Sequence, residues 1–456
     1  MPLFYITTLG CKVNQCESQA LAQELIQAGY RPTADPRQAE VMIVNTCTVT
    51  SRAAMQSRQT VRRLLRAQPR AKVAVTGCSV QTDPDRFRTI PGVTHLAGNA
   101  DKGSLPRILE GSQPPAAIGE FPRALPGFSP KPLAGPAAAL STGSPGRTRA
   151  FFKIQDGCNA FCTYCIVPHA RGPSRSLRLE DVMVGLQRYG QAGFKEVVLT
   201  GIHLGQWGRD LAPPQEIEAL LDAVRQARPV ARVRLSSMEP NEVSDGLIRR
   251  VAAWPGFAPH FHIPLQSGAD GVLRRMGRPY TRDQFARRIE AVHHALPEAG
   301  IGVDVMVGFP GEDDHAFQQS YDLILVLPIT YLHVFPFSPR PGTPAHGFKD
   351  QVPAQVSKAR AARLRRLGRA KQRDFLKTFL DRTVEVLVTG PSGPSNGILE
   401  GLSANYAKIR FPGHSRLRNQ FLEVKVRELD AEGRLRGEIV SKVSSQNDCE
   451  TGFCGS

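Results

Sequence analysis

The chain has 456 residues, of which 41% are hydrophobic, and carries a formal net charge of +17 with a pI near 9.8. This length exceeds what one hydrophobic core organises, so two or three domains are expected. Apolar runs no longer than "LILVLPI" exclude a membrane-spanning helix, and the N-terminus lacks an export signal, which predicts a cytoplasmic protein. The basic charge favours a polyanionic partner, nucleic acid before membrane.

Three apolar runs near the N-terminus each end in a cysteine: "FYITTLGC" at Cys11, "VMIVNTC" at Cys47 and "KVAVTGC" at Cys78. Helical spacing fills the gaps between them, with Gly29 placed as a helix C-cap, so the pattern predicts a parallel α/β sheet. The carboxyl ends of parallel strands share one edge, where these three cysteines should converge. In a reducing compartment, clustered cysteines indicate metal or redox ligands.

The middle of the chain begins with a change in composition. A stretch rich in Pro, Ala, Gly and Ser predicts a semi-rigid, partly disordered linker at residues 113–146. Six strand-and-helix units then predict an open, partial (βα)6 barrel at residues 147–378, with its site at the carboxyl ends of the strands. The predicted strands are "FFKIQ", "EVVLTG", "RVRLSS", "HFHIPL", "GVDVMVGF" and "YLHVFPF", with helices that include Leu179–Ala192 and Arg282–Ala295.

The C-terminal region is basic and then β-rich. Val356–Arg382 holds ten Lys or Arg residues against two acidic ones and is predicted to be a helix. The runs "TVEVLVTG", "GILEGL", "YAKIRF" and "FLEVKVREL" predict a small OB-like barrel at residues 379–443, before a flexible tail at 444–456. The basic helix beside it favours RNA, with Arg363, Arg365 and Arg366 as candidate phosphate contacts, although a solvated helical face is the alternative.

The segment "QDGCNAFCTYC" places Cys158, Cys162 and Cys165 within eight residues, directly after the first barrel strand. Structural zinc sites close with four ligands, and iron–sulfur cubanes normally take four cysteines, so three cysteines leave one iron open. S-adenosylmethionine (SAM) can chelate such an iron through its amino and carboxylate groups, and an electron from the cluster can then break its C–S bond. The spacing therefore predicts a SAM-dependent radical enzyme.

Many segments together resemble the radical SAM methylthiotransferases. They are "LGCKVNQCES", "VNTCTVT", "VTGC", "IQDGCNAFCTYCIVPHARG", "LTGIHLG", "LSSMEP", "FHIPLQSG", "MVGFPGE" and "FSPRPGTPA". The resemblance runs from Tyr5 to about Val443 apart from the linker. It implies a methylthiotransferase domain at residues 1–112, a radical SAM domain at 147–378 and an RNA-binding TRAM domain at 379–443.

The resemblance also implies two [4Fe-4S] clusters and SAM. An auxiliary cluster would be held by Cys11, Cys47 and Cys78, and the cluster that cleaves SAM by Cys158, Cys162 and Cys165. The ring of Tyr164 would pack near the adenine of SAM. Six residues at strand ends would contact the cofactor, although each is explained as well by a role as strand terminus or turn: Thr200, Gly201, Ser236, Glu239, Gln266 and Gly308.

The implied reaction has two parts. One SAM would donate a methyl group to sulfur carried at the auxiliary cluster, and another would give a 5′-deoxyadenosyl radical that takes hydrogen from the substrate carbon. "LGCKVNQ" resembles the branch that modifies C2 of N6-threonylcarbamoyladenosine at position 37 of tRNA, beside the anticodon. The implied partners are the anticodon arm of tRNA and an electron donor such as a flavodoxin or ferredoxin. No catalytic side chain beyond the cluster ligands is assigned.

Two other functions stay open. A relative that acts on isopentenyladenosine or on a ribosomal protein carries different residues after the first cysteine, and a protein-modifying enzyme should have a neutral or acidic C-terminal module. A non-catalytic RNA-binding protein with structural metal centres would hold zinc in place of about eight irons per chain.

Several residues fall outside these assignments. Cys16 stands where the resembled branch usually has tyrosine, and we interpret it as a small helical hydrophobe in preference to an extra thiol near the first cluster. Cys449 and Cys454 could bind metal, although a frayed terminus is the simpler interpretation. His169, His262 and His333 lie near predicted strand ends and are assigned no role.

Overall fold

The structure is a computed structural model, and it describes residues 1–114, 118, 148–392 and 397–443. The predicted linker, apart from residues 113, 114 and 118, and the predicted tail with Cys449 and Cys454 lie outside the described residues. Among the helices of the described ranges, none combines the length and the hydropathy that crossing a membrane requires.

The first domain is a five-stranded parallel sheet with helices on both faces, as its sequence predicts. Its strands are β1 (Leu3–Thr8), β2 (Arg31–Pro32), β3 (Val41–Thr46), β4 (Lys72–Gly77) and β5 (Val93–Ala97), in the order β2-β1-β3-β4-β5. The helices are α1 (Lys12–Gln27), α2 (Ser51–Ala67), α3 (Cys78–Thr82), α4 (Asp85–Arg88) and α5 (Leu105–Leu109). All six residues of the central strand β3 are buried, because helices cover both of its faces.

The second domain contains the six parallel strands of the predicted partial barrel. Its strands are β6 (Arg149–Lys153), β7 (Gln155–Asp156), β8 (Arg175–Ser176), β9 (Glu196–Thr200), β10 (Arg232–Leu235), β11 (His260–His262), β12 (Gly300–Val307) and β13 (Tyr331–Pro336). Six of these strands form the two halves of the barrel, β10-β9-β6 and β11-β12-β13, and an isolated bridge between Val233 and Phe257 joins the halves. The other two, β7 and β8, form a separate two-stranded sheet. The structure therefore confirms an open barrel.

Helices cover the outer face of this barrel. They are α6 (Val167–Arg171), α7 (Leu179–Gln191), α8 (Ile217–Ala227), α9 (Asp245–Ala252), α10 (Asp270–Met276), α11 (Arg282–Ala295), α12 (Asp314–Val326) and α13 (Ala354–Lys377). Helix α11 has the predicted bounds, and the side chain of Thr281 caps its N-terminus in a reciprocal capping box with Gln284. Alternate strand residues such as Val197, Val233 and Val303 pack into the core that these helices complete.

The third domain is a closed five-stranded barrel. Its strands are β14 (Thr383–Pro391), β15 (Ile398–Ser403), β16 (Lys408–Pro412), β17 (Phe421–Leu429) and β18 (Leu435–Lys442), in the order β14-β15-β16-β18-β17. The sequence analysis identified the first four strands and missed β18. In its sequence "LRGEIVSK" only Leu435 is buried, and the residues after it are exposed or half-buried. The strand therefore lacks the alternation of apolar and polar residues that marks the other strands.

Candidate functional site

Three cysteines of the first domain follow strands of one sheet. Cys11 comes after β1, Cys47 directly after β3, and Cys78 directly after β4. Their loops approach closely: Gly10 has φ +100°, and a Cβ on this residue would lie 2.8 Å from both Cβ and Sγ of Cys47. Glycine is therefore required at residue 10 for these two loops to meet.

Asn14 fastens two of these loops together. Its Nδ2 donates to the carbonyl of Leu9 (2.8 Å), just before Cys11, and to that of Thr46 (2.9 Å), just before Cys47. The Nδ2 of Asn45 in turn donates to the carbonyl of Asn14 (2.9 Å). The buried side-chain amides of Asn14 and Asn45 thus hold together the loops of Cys11 and Cys47. Each cysteine of this triad is within electrostatic range of another, as the sequence predicts for Cys11, Cys47 and Cys78.

The second triad lies on one loop after β7. Cys158 N donates to the carbonyl of Gly172 (3.1 Å), Thr163 N to that of Met276 (3.0 Å), and Cys165 N to that of Cys162 (2.9 Å). These bonds fix the loop to α6 on one side and to the end of α10 on the other. Burial raises the pKa of the Cys165 thiol to about 12, and that of the Cys47 thiol in the first triad to about 11. A bound cation is what would keep such thiols ionised.

Two cationic side chains contact the sulfurs of the second triad. His203, which follows β9, has Nδ1 at 3.4 Å from Cys158 Sγ and Nε2 at 2.7 Å from Glu242 Oε1. Burial alone would lower the pKa of His203, but its contacts with Cys158 and Glu242 raise the value to about 10. Arg278, which follows α10, donates from Nη1 to Cys162 Sγ (3.3 Å) and pairs with Glu239.

Sulfur spacing tests which metal group the triads fit. In neither triad do all three sulfurs lie within 4.8 Å of one another. A tetrahedral zinc ion with Zn–S bonds of about 2.3 Å needs sulfurs about 3.8 Å apart, so both triads are too wide for a single zinc ion. Three thiols around a wider space fit a multi-iron cluster that is one ligand short.

Arg171, at the end of α6, connects the second triad's loop to the first domain. Its side chain is fully buried and donates from Nη2 to Asn14 Oδ1 (2.6 Å), and from Nη1 to Glu17 Oε1 and Asp156 Oδ1 (2.9 Å each). The charge of Cys78 also acts on it. The guanidinium of Arg171 therefore lies beside the first triad. In the sequence, Arg171 follows Cys165, the last cysteine of the second triad, by only six residues.

More cations surround Glu17 at this domain interface. Lys153 Nζ lies 2.9 Å from Glu17 Oε1 and 3.0 Å from Asp156 Oδ2, and Lys102 pairs with the other oxygen of Glu17. Burial alone would raise the pKa of Glu17, but Arg171, Lys102 and Lys153 hold it well below its ordinary value. A neighbouring contact, from Asn99 Nδ2 to the carbonyl of Ala170 (2.6 Å), joins the same two domains.

The residues predicted to bind SAM lie at the carboxyl ends of the barrel strands, on the same edge as the second triad. Tyr164 lies between Cys162 and Cys165, with its hydroxyl 3.4 Å from Arg278 Nη1. Ser236 has a buried hydroxyl with no partner among the described residues, and burial raises the pKa of Glu239. The others end or follow strands: Thr200 and Gly201 at β9, Gln266 after β11 and Gly308 after β12.

Two of these residues have unusual backbones. Gln266 has φ +62° and is bridged to Val305, and Gly308 has φ +74°. A Cβ on Gly308 would lie 1.9 Å from Ser357 Oγ of α13, so the packing of that helix explains this glycine without a ligand. The backbone of Gln266, a non-glycine residue, is held in this conformation by two hydrogen bonds to β12, from its N to the carbonyl of Asp304 and from Met306 N to its own carbonyl (2.9 Å each).

The basic helix α13 does not present its three candidate arginines equally. Arg363 is half-buried, donates to Gln318 Oε1 (2.9 Å) and lies 4.3 Å above the ring of Tyr321. Arg365 is exposed but donates to the carbonyl of Val334 (3.0 Å). Arg366 is exposed, so it is the freest of the three to meet a phosphate.

The sequence analysis missed several site residues. Arg171 and Glu17 carry no signal of their own, although Arg171 ends the quoted segment "PHARG". His262 and His333, which were assigned no role, both contact Asp304 Oδ1 at 3.1 Å. The available signal was alternation: these three residues occupy the strand positions that do not pack into the helical core.

Comparison with known proteins agrees with this architecture. Residues 3–98 match the uncharacterized protein family UPF0004, and residues 152–324 match the radical SAM superfamily. The chain is 35% identical to the threonylcarbamoyladenosine tRNA methylthiotransferase MtaB of Bacillus subtilis (strain 168), over 92% of this chain and 92% of that protein.

Two further comparisons extend this. The chain is 31% identical to the tRNA-2-methylthio-N(6)-dimethylallyladenosine synthase of Desulfitobacterium hafniense (strain Y51), over 92% of this chain and 94% of that protein. The solved radical S-adenosylmethionine methyltransferase TsrM from Kitasatospora setae aligns with a TM-score of 0.55 at 16% identity, covering 75% of this chain and 77% of TsrM. At that identity the likeness is one of fold alone.

Proposed function

The chain belongs to the radical SAM methylthiotransferase family, and on this premise we propose that it adds a methylthio group to C2 of N6-threonylcarbamoyladenosine at position 37 of tRNA. Membership in the radical SAM family implies a [4Fe-4S] cluster and SAM. We propose that Cys158, Cys162 and Cys165 hold this cluster. A second cluster on Cys11, Cys47 and Cys78 would carry the sulfur that is transferred.

The position of Arg171 is the observation that carries the two-cluster proposal. Its guanidinium touches Asn14, which fastens the loops of Cys11 and Cys47, while its own backbone continues from the loop of the second triad. Sulfur insertion needs the carbon radical and the sulfur donor to face one substrate atom. A buried ion network that holds the two cysteine-bearing edges together supports this requirement.

When bound, the cluster on Cys158, Cys162 and Cys165 supplies the electron that splits SAM. The chain's own residues would bind the cluster and orient SAM beside it. His203 and Arg278 place positive charge beside two of its sulfurs, those of Cys158 and Cys162. Tyr164, Thr200, Gly201, Ser236, Glu239, Gln266 and Gly308 are our proposed SAM contacts, and the unpartnered hydroxyl of Ser236 supports this set.

The charge of the chain supports a tRNA substrate. A net charge of +17 with a basic helix α13 beside a small closed barrel suits phosphate binding. We propose Arg366 as the main phosphate contact of this helix, with Arg363 and Arg365 contributing less. A flavodoxin or ferredoxin is the proposed electron donor, and the cytoplasm, where tRNA and reductant meet, is the proposed compartment.

A second candidate substrate is N6-dimethylallyladenosine, because a relative named for the 2-methylthio derivative of that base is 31% identical to the chain, against 35% for a relative named for threonylcarbamoyladenosine. The anaerobically reconstituted protein should therefore be incubated with SAM, a reductant and tRNA carrying either base, and the nucleosides analysed by mass spectrometry. We expect the 2-methylthio derivative of N6-threonylcarbamoyladenosine alone.

The same preparations separate the alternatives. If only the tRNA with N6-dimethylallyladenosine gave a methylthio product, that base would be the substrate and the first candidate would be wrong. Stoichiometric zinc in place of about eight irons per chain, with no product from either tRNA, would support a non-catalytic RNA-binding protein.

A further inference from the structure

The second half of the barrel carries polar side chains on its interior face. Along β11, β12 and β13, residues such as Phe261, Val303 and Val334 pack into the helical core. The residues that alternate with them face the barrel interior, because successive side chains of a strand point to opposite faces. They include His260, His262, Gly302, Asp304, Tyr331 and His333.

Strand register brings three of these side chains together. His262 lies opposite Gly302, and Asp304 lies opposite His333. His262 Nε2 and His333 Nδ1 are each 3.1 Å from Oδ1 of Asp304. Among the residues that the structure describes, this is the one group of three or more His, Cys, Asp or Glu side chains whose ligand atoms all lie within 4.8 Å of one another.

These separations suit a single metal ion. A tetrahedral zinc ion, with Zn–N and Zn–O bonds of about 2.0–2.2 Å, needs its nitrogen and oxygen ligands about 3.3 Å apart. Both nitrogens of the group are 3.1 Å from the carboxylate oxygen and within 4.8 Å of each other, so side-chain rotations would admit the ion. Two imidazoles and one carboxylate are ligands that zinc and similar divalent transition metals accept.

The surroundings of His262 favour a metal ion over a plain hydrogen-bonded group. Its side chain is only 9% exposed, and its Nε2 forms no hydrogen bond with a described residue although Asp304 Oδ1 is so near. Nδ1 of the same ring lies 2.6 Å from Ser237 Oγ, and a bond donated by Nδ1–H leaves a lone pair on Nε2. A buried lone pair that faces a carboxylate oxygen is costly unless a cation lies between the two atoms.

His333 completes the group from its open side. Its side chain is 53% exposed, and its Nδ1 is hydrogen-bonded to Asp304 Oδ1. A neutral imidazole can carry its hydrogen on either nitrogen, so Nδ1 can bind an ion while Nε2 holds the hydrogen in water. Water or a ligand can therefore reach the group past His333.

Other neighbours restrict which ion is expected. Lys12 of the first domain is within electrostatic range of Asp304, and its positive charge opposes a cation here. Direct bonds to two imidazole nitrogens can offset such repulsion for a transition-metal ion. Magnesium and calcium prefer sites made of oxygen ligands, so we do not expect either ion at this group.

We propose that His262, Asp304 and His333 bind one divalent transition-metal ion of the zinc class, at a site separate from both cysteine triads. Three protein ligands leave the fourth position of a tetrahedral ion to water or to an oxygen of a bound ligand. Gln266 N donates to the carbonyl of Asp304 (2.9 Å), so the site borders a proposed SAM contact. The inference does not depend on which base the enzyme modifies.

The test uses zinc with the anaerobically reconstituted holoenzyme, whose clusters would occupy the cysteines. Wild type and four variants would be incubated with Zn²⁺, desalted and analysed for zinc and iron by mass spectrometry. The variants are His333→Ala, Asp304→Asn, Ser237→Ala and the control His293→Ala, which changes an exposed histidine of α11. X-ray absorption at the zinc edge would identify the ligand atoms, and competition with a chelator would give the affinity.

We expect wild type and His293→Ala to bind one zinc ion with nitrogen and oxygen ligands at about 2.0–2.2 Å. Ser237→Ala should weaken zinc binding by about 10- to 100-fold, as loss of an outer partner does, and His333→Ala and Asp304→Asn should weaken it more. Iron content should be the same in all five proteins, because none of these side chains belongs to a triad.

Two results would overturn the inference. One is a wild-type protein that binds no zinc, or that binds it through sulfur at about 2.3 Å. The other is wild-type zinc affinity in both His333→Ala and Asp304→Asn. A variant that loses iron together with zinc is misfolded, and the ligand atoms seen in the wild-type spectrum then decide. Wild type without iron but with zinc on nitrogen and oxygen would refute the cluster assignment and leave this site standing.

Discussion

Cys158, Cys162 and Cys165 lie within eight residues on one loop, whereas Cys11, Cys47 and Cys78 are separated by more than thirty residues each and meet only at the edge of a folded sheet. The local triad is fixed by short-range backbone bonds to α6 and α10. The dispersed triad depends on register between β1, β3 and β4, on Gly10 and on the amide of Asn14. The dispersed triad therefore reports whether the first domain has folded, and the local one does not.

The strongest test of this comparison exchanges one cysteine in each triad. Cys162→Ala should reduce SAM cleavage to background, because it removes a ligand of the proposed radical cluster. Cys47→Ala should retain cleavage and lose only the methylthio product. Each variant should hold about four irons in place of about eight. Formation of 5′-deoxyadenosine and of modified nucleoside would be measured on the same samples.

Two outcomes would break the comparison. Cleavage at the wild-type rate in Cys162→Ala would remove the radical assignment from the local triad. Methylthio product from Cys47→Ala would show that the dispersed triad is not the sulfur donor.

A second test addresses the residue that joins the triads. Arg171→Met should lower the free energy of unfolding by about 3–5 kcal/mol, because it leaves Glu17 and Asp156 buried with less counter-charge. Urea unfolding of the apoprotein measures this. The matched control is Arg178→Met, whose guanidinium is 71% exposed beside Asp181 and should contribute less than about 1 kcal/mol. Equal losses in the two variants would contradict a special role for Arg171.

The same network predicts a pH effect. The pKa of Glu17 is held well below 4.5, so the carboxylate's contribution to stability is complete above pH 4.5 and is lost as pH falls through the lowered value. We expect the Tm of the wild-type apoprotein to fall on acidification below about pH 4.5 more steeply than the Tm of Glu17→Gln. Parallel curves for the two proteins would show that Glu17 titrates normally.

The smallest effect concerns RNA binding, in which neither triad should take part. Arg366→Gln should reduce the slope of log K against log salt by about 1, measured with an anticodon arm. Arg363→Gln should reduce it less, because its guanidinium is held by Gln318 and Tyr321. Iron content should be unchanged in both variants. A larger effect from Arg363 would reverse our ranking of the two.

Much of the fold was predictable because its signals are local. Strand-ending cysteines and parallel-sheet topology predicted the dispersed triad, and the three-cysteine spacing predicted the local one; the family prediction is confirmed by the relatives. Strand β18 was missed because only Leu435 of its residues is buried. Arg171 was missed for another reason: its role depends on its contacts with Asn14 and Glu17 of the first domain, and one sequence carries no record of that contact.

The spacing of the sulfurs has a consequence for how the protein is made. Because in neither triad do all three sulfurs lie within 4.8 Å of one another, side chains must move before three thiolates can bind one small ion, so a newly folded chain should take up zinc less readily than a site already spaced for it. Faulty metallation is thereby disfavoured before any assembly machinery delivers iron and sulfide.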